Sequence, residues 1–268
     1  MPSAQRDTVS LLTGITVPYR SRGTDDALPV VFLHGWGESI GVFDRVLPLL
    51  PPQIRALAFD QRGHGGASKP RDGYELGNAA ADVRAFLDAF RLPAAVLLGS
   101  SSGGYVAQQV AVSSPERVLA LVLVGAPRSL EGRPPFADDV EALTDPIDAR
   151  WVRQSLDWFG LPASIPEWYL RDRVQDGVRM PAHAWRASLA ALTAASPPSE
   201  NGTIACDTLL LRGADDELVP LADHELLAAK IPGSRLVSYP ETGHLVLWER
   251  PERVASDTVA FLSSIRQR

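Results

Sequence analysis

The chain predicts an α/β fold: a doubly wound, mostly parallel sheet carrying a helical cap insertion. Three observations predict it. Continuous apolar runs recur at Val30-Val31-Phe32-Leu33, Ala56-Leu57-Ala58-Phe59, Val96-Leu97-Leu98, Leu119 to Val124 and Leu209-Leu210-Leu211, as expected of parallel strands covered on both faces. Helical stretches separate most of these runs, which is the βαβ alternation of an open sheet. Between about Ala126 and Ile204 this rhythm stops.

Taken in order, residues 8 to 21 read as two short strands joined near Thr13-Gly14, and their mixed alternation suits an antiparallel edge with one wet face. Over residues 75 to 90, Leu76, Ala79, Ala80, Val83, Phe86, Leu87 and Phe90 fall at three- and four-residue spacing, one apolar stripe of a helix. Ser102 to Ser113 and Pro251 to Ile265 behave similarly. The interrupted stretch holds many prolines, an acidic segment (Asp138, Asp139, Glu141, Asp145, Asp148) and four of the six tryptophans, Trp151, Trp158, Trp168 and Trp185. The division that follows is a core of residues 1–126 and 204–268, with residues 127–203 a helical cap over the carboxyl edge of the sheet. Its aromatic rings either line an apolar substrate pocket or pin the insertion to the sheet, and Trp151, Trp158 and Trp185 are the candidates for lining.

At 268 residues and 45% hydrophobic content the chain can bury a large core, and one main domain is the simplest count. The net charge is −6, and the 26 Lys and Arg residues are scattered rather than gathered in a stripe, which argues against nucleic acid as a partner. The start lacks an apolar signal core, and no later run approaches the roughly 18 to 20 apolar residues needed to span a bilayer. A cytoplasmic protein, monomeric or homodimeric and without a membrane partner, is expected. A single cysteine, Cys206, permits no internal disulfide and reads as a small core residue. Asn201-Gly202-Thr203 matches a glycosylation sequon and is read as coincidence.

Chemistry enters at Gly99-Ser100-Ser101-Ser102-Gly103, directly after an apolar strand. This is the strand-turn-helix context that the G-x-S-x-G pattern requires. At such a turn the serine is strained, so the residues two before and two after it must be small for strand and helix to come together. Centring the pattern on Ser100 or Ser102 would put a larger side chain at a crowded position, so Ser101 is the candidate nucleophile. Alone the pentapeptide is weak, since chance produces it about 0.1 times in a chain this long. A hydroxyl also needs a base, and the base an orienting acid. Near the end of the Leu209-Leu210-Leu211 run comes Gly213-Ala214-Asp215-Asp216-Glu217-Leu218-Val219-Pro220, and spacing within that loop favours Asp216 over Asp215 and Glu217. Glu241-Thr242-Gly243-His244-Leu245 follows, and His244 can accept the Ser101 proton while the acid fixes its tautomer. Of the other histidines, His34 and His64 lie in Gly-containing turns and suit structural hydrogen bonds. His183 is in the insertion, and His224 opens a helix.

With these residues in place the chain resembles the α/β-hydrolase fold family, specifically its capped branch of small esterases, lactonases and carbon-carbon bond hydrolases. The similarity runs over nearly the whole chain apart from the cap. It implies an eight-stranded sheet, the triad acid at Asp216 from the Gly-x-x-Asp-x-x-x-Pro pattern, and the base at His244 from Gly-His before an apolar residue. Phe32-Leu33-His34-Gly35-Trp36-Gly37 resembles the family's oxyanion loop, and Phe59-Asp60-Gln61-Arg62-Gly63-His64-Gly65 its structural turn. The oxyanion donors implied are the backbone N–H groups of Trp36 and Ser102, with the Trp36 side chain a wall of the acyl pocket. Many relatives carry His or Gln before the serine and Met after it, where this chain has Ser100 and Ser102. That difference alters the pocket floor and leaves a backbone donor intact.

The function expected is that of a cofactor-independent, metal-free serine hydrolase. Its partner is a small to medium, partly apolar ester or lactone, cleaved through an acyl-enzyme on Ser101. A serine nucleophile excludes the aspartyl chemistry of the haloalkane dehalogenase and epoxide hydrolase branches. Carbon-carbon bond hydrolysis of a diketone-like substrate uses the same three residues, and a hydrolase-fold small-molecule receptor would retain them without fast turnover.

Overall fold

A computed structural model describes residues 7–161 and 165–265 of the chain. The first six residues, included in the reading of the chain start, and residues 162–164 of the predicted insertion lie outside the described residues.

The strands are β1 (Asp7–Ser10), β2 (Thr16–Arg22), β3 (Leu28–Leu33), β4 (Ile54–Phe59), β5 (Ala95–Ser100), β6 (Val118–Val124), β7 (Thr208–Gly213) and β8 (Arg235–Tyr239). They form one 8-stranded sheet in the order β1-β2-β4-β3-β5-β6-β7-β8. β1 pairs with β2, and β2 with β4, in antiparallel fashion, whereas β3 through β8 join by parallel ladders. The expected antiparallel edge and parallel body are both present.

The apolar runs are continuous because alternate residues serve two cores. Val31 and Leu33 of β3, Leu57 and Phe59 of β4, and Leu97 of β5 face one core, whose other wall is α1 (Leu76–Ala89) and α2 (Ser102–Ser113). Val30, Phe32, Ala56, Ala58, Val96 and Leu98 face the opposite one, closed by α10 (Pro251–Ile265) through Val254, Ala255, Phe261 and Leu262. In α1 the buried set Leu76, Ala80, Val83, Phe86 and Leu87 is the predicted stripe. Cys206 is half-buried and packs against the first core.

Between β6 and β7 the elements of the described residues are all helical: α3 (Ala137–Glu141), α4 (Ala149–Ser155) with a 3-10 turn at Leu156–Phe159, α5 (Glu167–Val178), α6 (Ala182–Ala194) and α7 (Pro198–Asn201). α8 (Leu221–Lys230) and the short α9 (Val246–Glu249) complete the chain. The inserted helices gather a small core of their own around Val140, Ile147, Val152, Val174, Met180 and Trp185. None of the helices described is long and apolar enough to cross a membrane.

Candidate active site

β5 ends in Ser100 and α2 begins at Ser102, leaving Ser101 as the single residue of the turn, at φ 50° and ψ −123°. The turn is this tight because two glycines let backbones touch. A Cβ on Gly99 would lie 2.5 Å from the Gly103 carbonyl oxygen, and one on Gly103 would lie 2.2 Å from that of Leu33. Ser102 occupies the first position of α2, where a backbone N–H has no partner within the helix.

The loops after β7 and β8 converge on this turn. Gly213 closes the approach, since its Cβ would stand 2.1 Å from the Gly243 carbonyl oxygen, and the Asp215 N–H donates to the Thr242 carbonyl at 2.9 Å. Asp216 is buried while Asp215 and Glu217 are exposed. Its Oδ1 accepts from the backbone N–H groups of Leu218 (3.0 Å) and Val219 (2.9 Å), and its Oδ2 lies 2.9 Å from His244 Nδ1. His244 Nε2 lies 3.0 Å from Ser101 Oγ. Because Nδ1 donates to the carboxylate, Nε2 of the neutral ring is free to accept the serine proton. Burial pushes the Asp216 carboxyl up, but the hydrogen bond and charge of His244, together with the Val219 N–H, outweigh it and hold the group below the usual range.

The remaining histidines stand elsewhere. His34 Nε2 accepts from the Gln61 N–H at 2.9 Å and its Nδ1 donates to the Gly35 carbonyl at 2.8 Å, tying the loop after β3 to the loop after β4. His64 donates from Nδ1 to the Arg62 carbonyl at 2.8 Å. His183 reaches the carbonyls of Lys69 and Pro70, and His224 that of Pro220. Among the described residues no group of three or more His, Cys, Asp or Glu is placed to hold a metal ion.

A cavity of about 60 Å³ opens on Ser101 and His244. Two of the predicted lining residues, Trp36 and Trp185, border it. Trp36 donates from Nε1 to Ser188 Oγ at 2.9 Å and meets Trp185 edge-on at 4.7 Å. Trp151 and Trp158 were expected there too, but they stand behind the wall. Val152, Ser155, Leu156 and Phe159 line the cavity instead. Trp158 stacks on Phe136 at 4.6 Å, and Trp151 meets Trp185 edge-on at 5.3 Å. With Trp36 stacked on Phe136 at 5.9 Å, these rings fasten the inserted helices to the loop after β3.

Three cavity residues carried no recognisable motif. Phe159 lies over the His244 ring with centroids 6.1 Å apart. Arg173 and Glu38 are the charged groups of the wall. Glu38 accepts from the Gly35 N–H through Oε2 (2.8 Å) and from Trp248 Nε1 through Oε1 (3.1 Å), so it links the loop after β3 to α9, just beyond His244. Burial raises its carboxyl above the ordinary range against the pull of these donors. The only sequence signal was its position three residues after Gly35, within reach of that N–H.

A parallel sheet antiparallel at one edge, with serine, histidine and aspartate loops meeting at the carboxyl ends of its strands, defines a hydrolase of the α/β class. The alpha/beta hydrolase fold family model matches residues 29–251, and the chain belongs to that family. It is 30% identical over 279 residues to a non-heme chloroperoxidase of Streptomyces lividans, covering 96% of this chain and 99% of that protein. It is also 30% identical to a poly(3-hydroxyalkanoate) depolymerase of Ectopseudomonas oleovorans, covering 92% of this chain and 88% of the relative. Among solved structures, a hydrolase from Pseudomonas aeruginosa superposes with a TM-score of 0.85 at 25% identity, covering 97% of this chain and 99% of that one.

Proposed function

We propose that the protein is a serine hydrolase that cleaves a carboxylic ester or lactone through an acyl-enzyme on Ser101. The observation that carries this reading is the unbroken relay from Asp216 Oδ2 through His244 to Ser101 Oγ, with steps of 2.9 and 3.0 Å, facing a largely apolar cavity. Ser101 Oγ attacks the carbonyl carbon as its proton passes to His244 Nε2, and Asp216 stabilises the imidazolium. The carbonyl oxygen takes up negative charge facing the backbone N–H groups of Trp36 and Ser102, which stabilise it. His244 then gives its proton to the leaving alkoxide; a water, deprotonated by His244, attacks the acyl group and frees Ser101. Residues 127–203 act as the cap, with Phe159 and Trp185 shielding the relay from solvent.

The test is labelling with a fluorophosphonate probe beside turnover of p-nitrophenyl esters, lactones and a β-diketone. Ser101 should be the labelled residue, and Ser101→Ala should lose labelling and about 10⁴-fold or more of kcat. Folded wild type that neither labels nor turns over any ester or lactone overturns the reading; fast diketone cleavage with inert esters moves it to carbon-carbon hydrolysis. The chloroperoxidase relative favours a second reading, in which hydrogen peroxide replaces water in the second step. Its attack on the acyl-Ser101 carbonyl breaks the ester to serine and releases a peracid, so peracid formation from acetate and peroxide is its measurement.

A further inference from the structure

The cavity holds a buried cation that the relay does not use. Arg173, on α5, is 5% exposed and borders the same cavity as Ser101. Its Nη2 lies 2.9 Å from Asp176 Oδ2, and its guanidinium carbon sits 5.1 Å from the centre of the Tyr169 ring. Nε and Nη1 make no hydrogen bond of ordinary geometry among the described residues, and the Tyr169 hydroxyl is the polar group that interacts with the guanidinium from that ring. A guanidinium presents five N–H donors in a planar fork, and a buried donor left without an acceptor costs about 1–3 kcal/mol. The fork is built in closely, since a Cβ on Gly41 would stand 2.0 Å from Nη2.

The surrounding charge leaves Arg173 able to take an anion. Asp176 also faces a second cation, Arg179, at 3.5 Å, so its one negative charge is divided between two guanidinium groups. Glu38, the other acid at this cavity, spends an oxygen on each of Gly35 and Trp248, and its burial disfavours the charged form. The same cavity is lined by the apolar side chains of Val152, Leu156 and Leu247. There a cation attracts an anion more strongly than it would in water, and a charge-assisted hydrogen bond from an open guanidinium edge suits a carboxylate oxygen.

We propose that Arg173 anchors a carboxylate carried by the substrate, so that the substrate class is esters or lactones of acids bearing a second carboxyl group. This rests on the serine-hydrolase reading. The apolar wall takes the methylene chain, Ser101 meets the ester carbonyl, and one of the two open edges of the guanidinium, at Nε or at Nη1, donates to the far carboxylate.

The experiment compares p-nitrophenyl butyrate with the mono-p-nitrophenyl ester of glutaric acid in wild type, Arg173→Met and Arg173→Lys, with melting temperatures alongside. Wild type should favour the glutarate ester in kcat/KM. The ratio of the two kcat/KM values should fall about tenfold or more in Arg173→Met, mostly through KM, and partly recover in Arg173→Lys. An unchanged ratio, or no preference in wild type, overturns the proposal. Glutarate itself is then titrated against Ser101→Ala and the Ser101→Ala/Arg173→Met double variant, followed by the shift in melting temperature. Stabilisation of the first and not of the second, in an enzyme inert to both esters, upholds the carboxylate site while the hydrolase reading falls. Turnover of butyrate with no glutarate binding to Ser101→Ala upholds the hydrolase and overturns the site. Should Arg173→Met fail to fold, the wild-type preference and glutarate binding to Ser101→Ala decide it.

Discussion

Ser101 reaches the cavity only by keeping φ at 50° and ψ at −123°, a combination that costs a non-glycine residue about 1–3 kcal/mol. The strain comes from the Cβ and not from the hydroxyl, so removing the oxygen alone should not relieve it. Ser101→Gly is therefore expected to be about 1 kcal/mol more stable than Ser101→Ala, after about 0.5–1 kcal/mol is returned to the greater freedom of glycine in the unfolded chain. Urea unfolding of the two inactive variants measures this directly, and equal midpoints would show that the turn is relaxed. Ser101, Asp216 and His244 were legible in the sequence because each is the fixed point of a loop with its own spacing pattern. Arg173 and Phe159 were not, because what they face depends on how the helices between β6 and β7 lie against the sheet, and Glu38 was not, because its partner Trp248 stands 210 residues further along the chain.

At the scale of elements, the contact between α2 and the end of β3 is closed by absent side chains. A methyl on Gly103 would sit 2.2 Å from the Leu33 carbonyl and 2.4 Å from that of His34, backbone atoms that cannot swing away. Gly77, inside α1, has nothing within 4 Å of its Cβ position. The same substitution should thus act with opposite sign at two helical sites. Gly77→Ala should gain about 0.5–1 kcal/mol from helix propensity. Gly103→Ala should lose about 3 kcal/mol or more, or fail to fold, because the strand and helix must part. Thermal melts of the two variants beside wild type check both; a mild Gly103→Ala would mean that the junction can slide. The five apolar runs all fell within strands, since burial on both faces leaves a signal that needs no partner to be read. Trp151 and Trp158 misled because large aromatic rings mark an interior without saying which one, and here the rings pack on each other while Val152 and Phe159 take the cavity.

Across the whole molecule, the loops after β3 and β4 meet at two buried histidines: His34 bonds across to Gln61, and His64 bonds within its own loop and packs beside the His34 ring. Burial lowers His34 to about 4, and burial together with the neighbouring His34 charge lowers His64 to about 3; their rings lie 5.2 Å apart. Protonating His34 would also turn Nε2, the acceptor for the Gln61 N–H, into a donor. The folded values lie below the unfolded value of 6.5, so over that window the unfolded chain binds more protons. Stability is then fully present above about pH 6.5 and falls as the solution is acidified, by at most about 1.4 kcal/mol per pH unit for each histidine. Glu38 and Glu249, both raised by burial, act in the opposite direction over part of the same range, so the raw slope mixes two signs. Replacing His64 with Gln, whose amide can still donate to the Arg62 carbonyl, isolates one contribution. Between pH 6.5 and pH 5 the unfolding free energy of wild type should fall by about 2 kcal/mol more than that of His64→Gln. Denaturant melts at the two pH values give the four numbers needed. Parallel losses in both proteins would mean that His64 takes up its proton in the folded state, and that the joint between the two loops tolerates a charge.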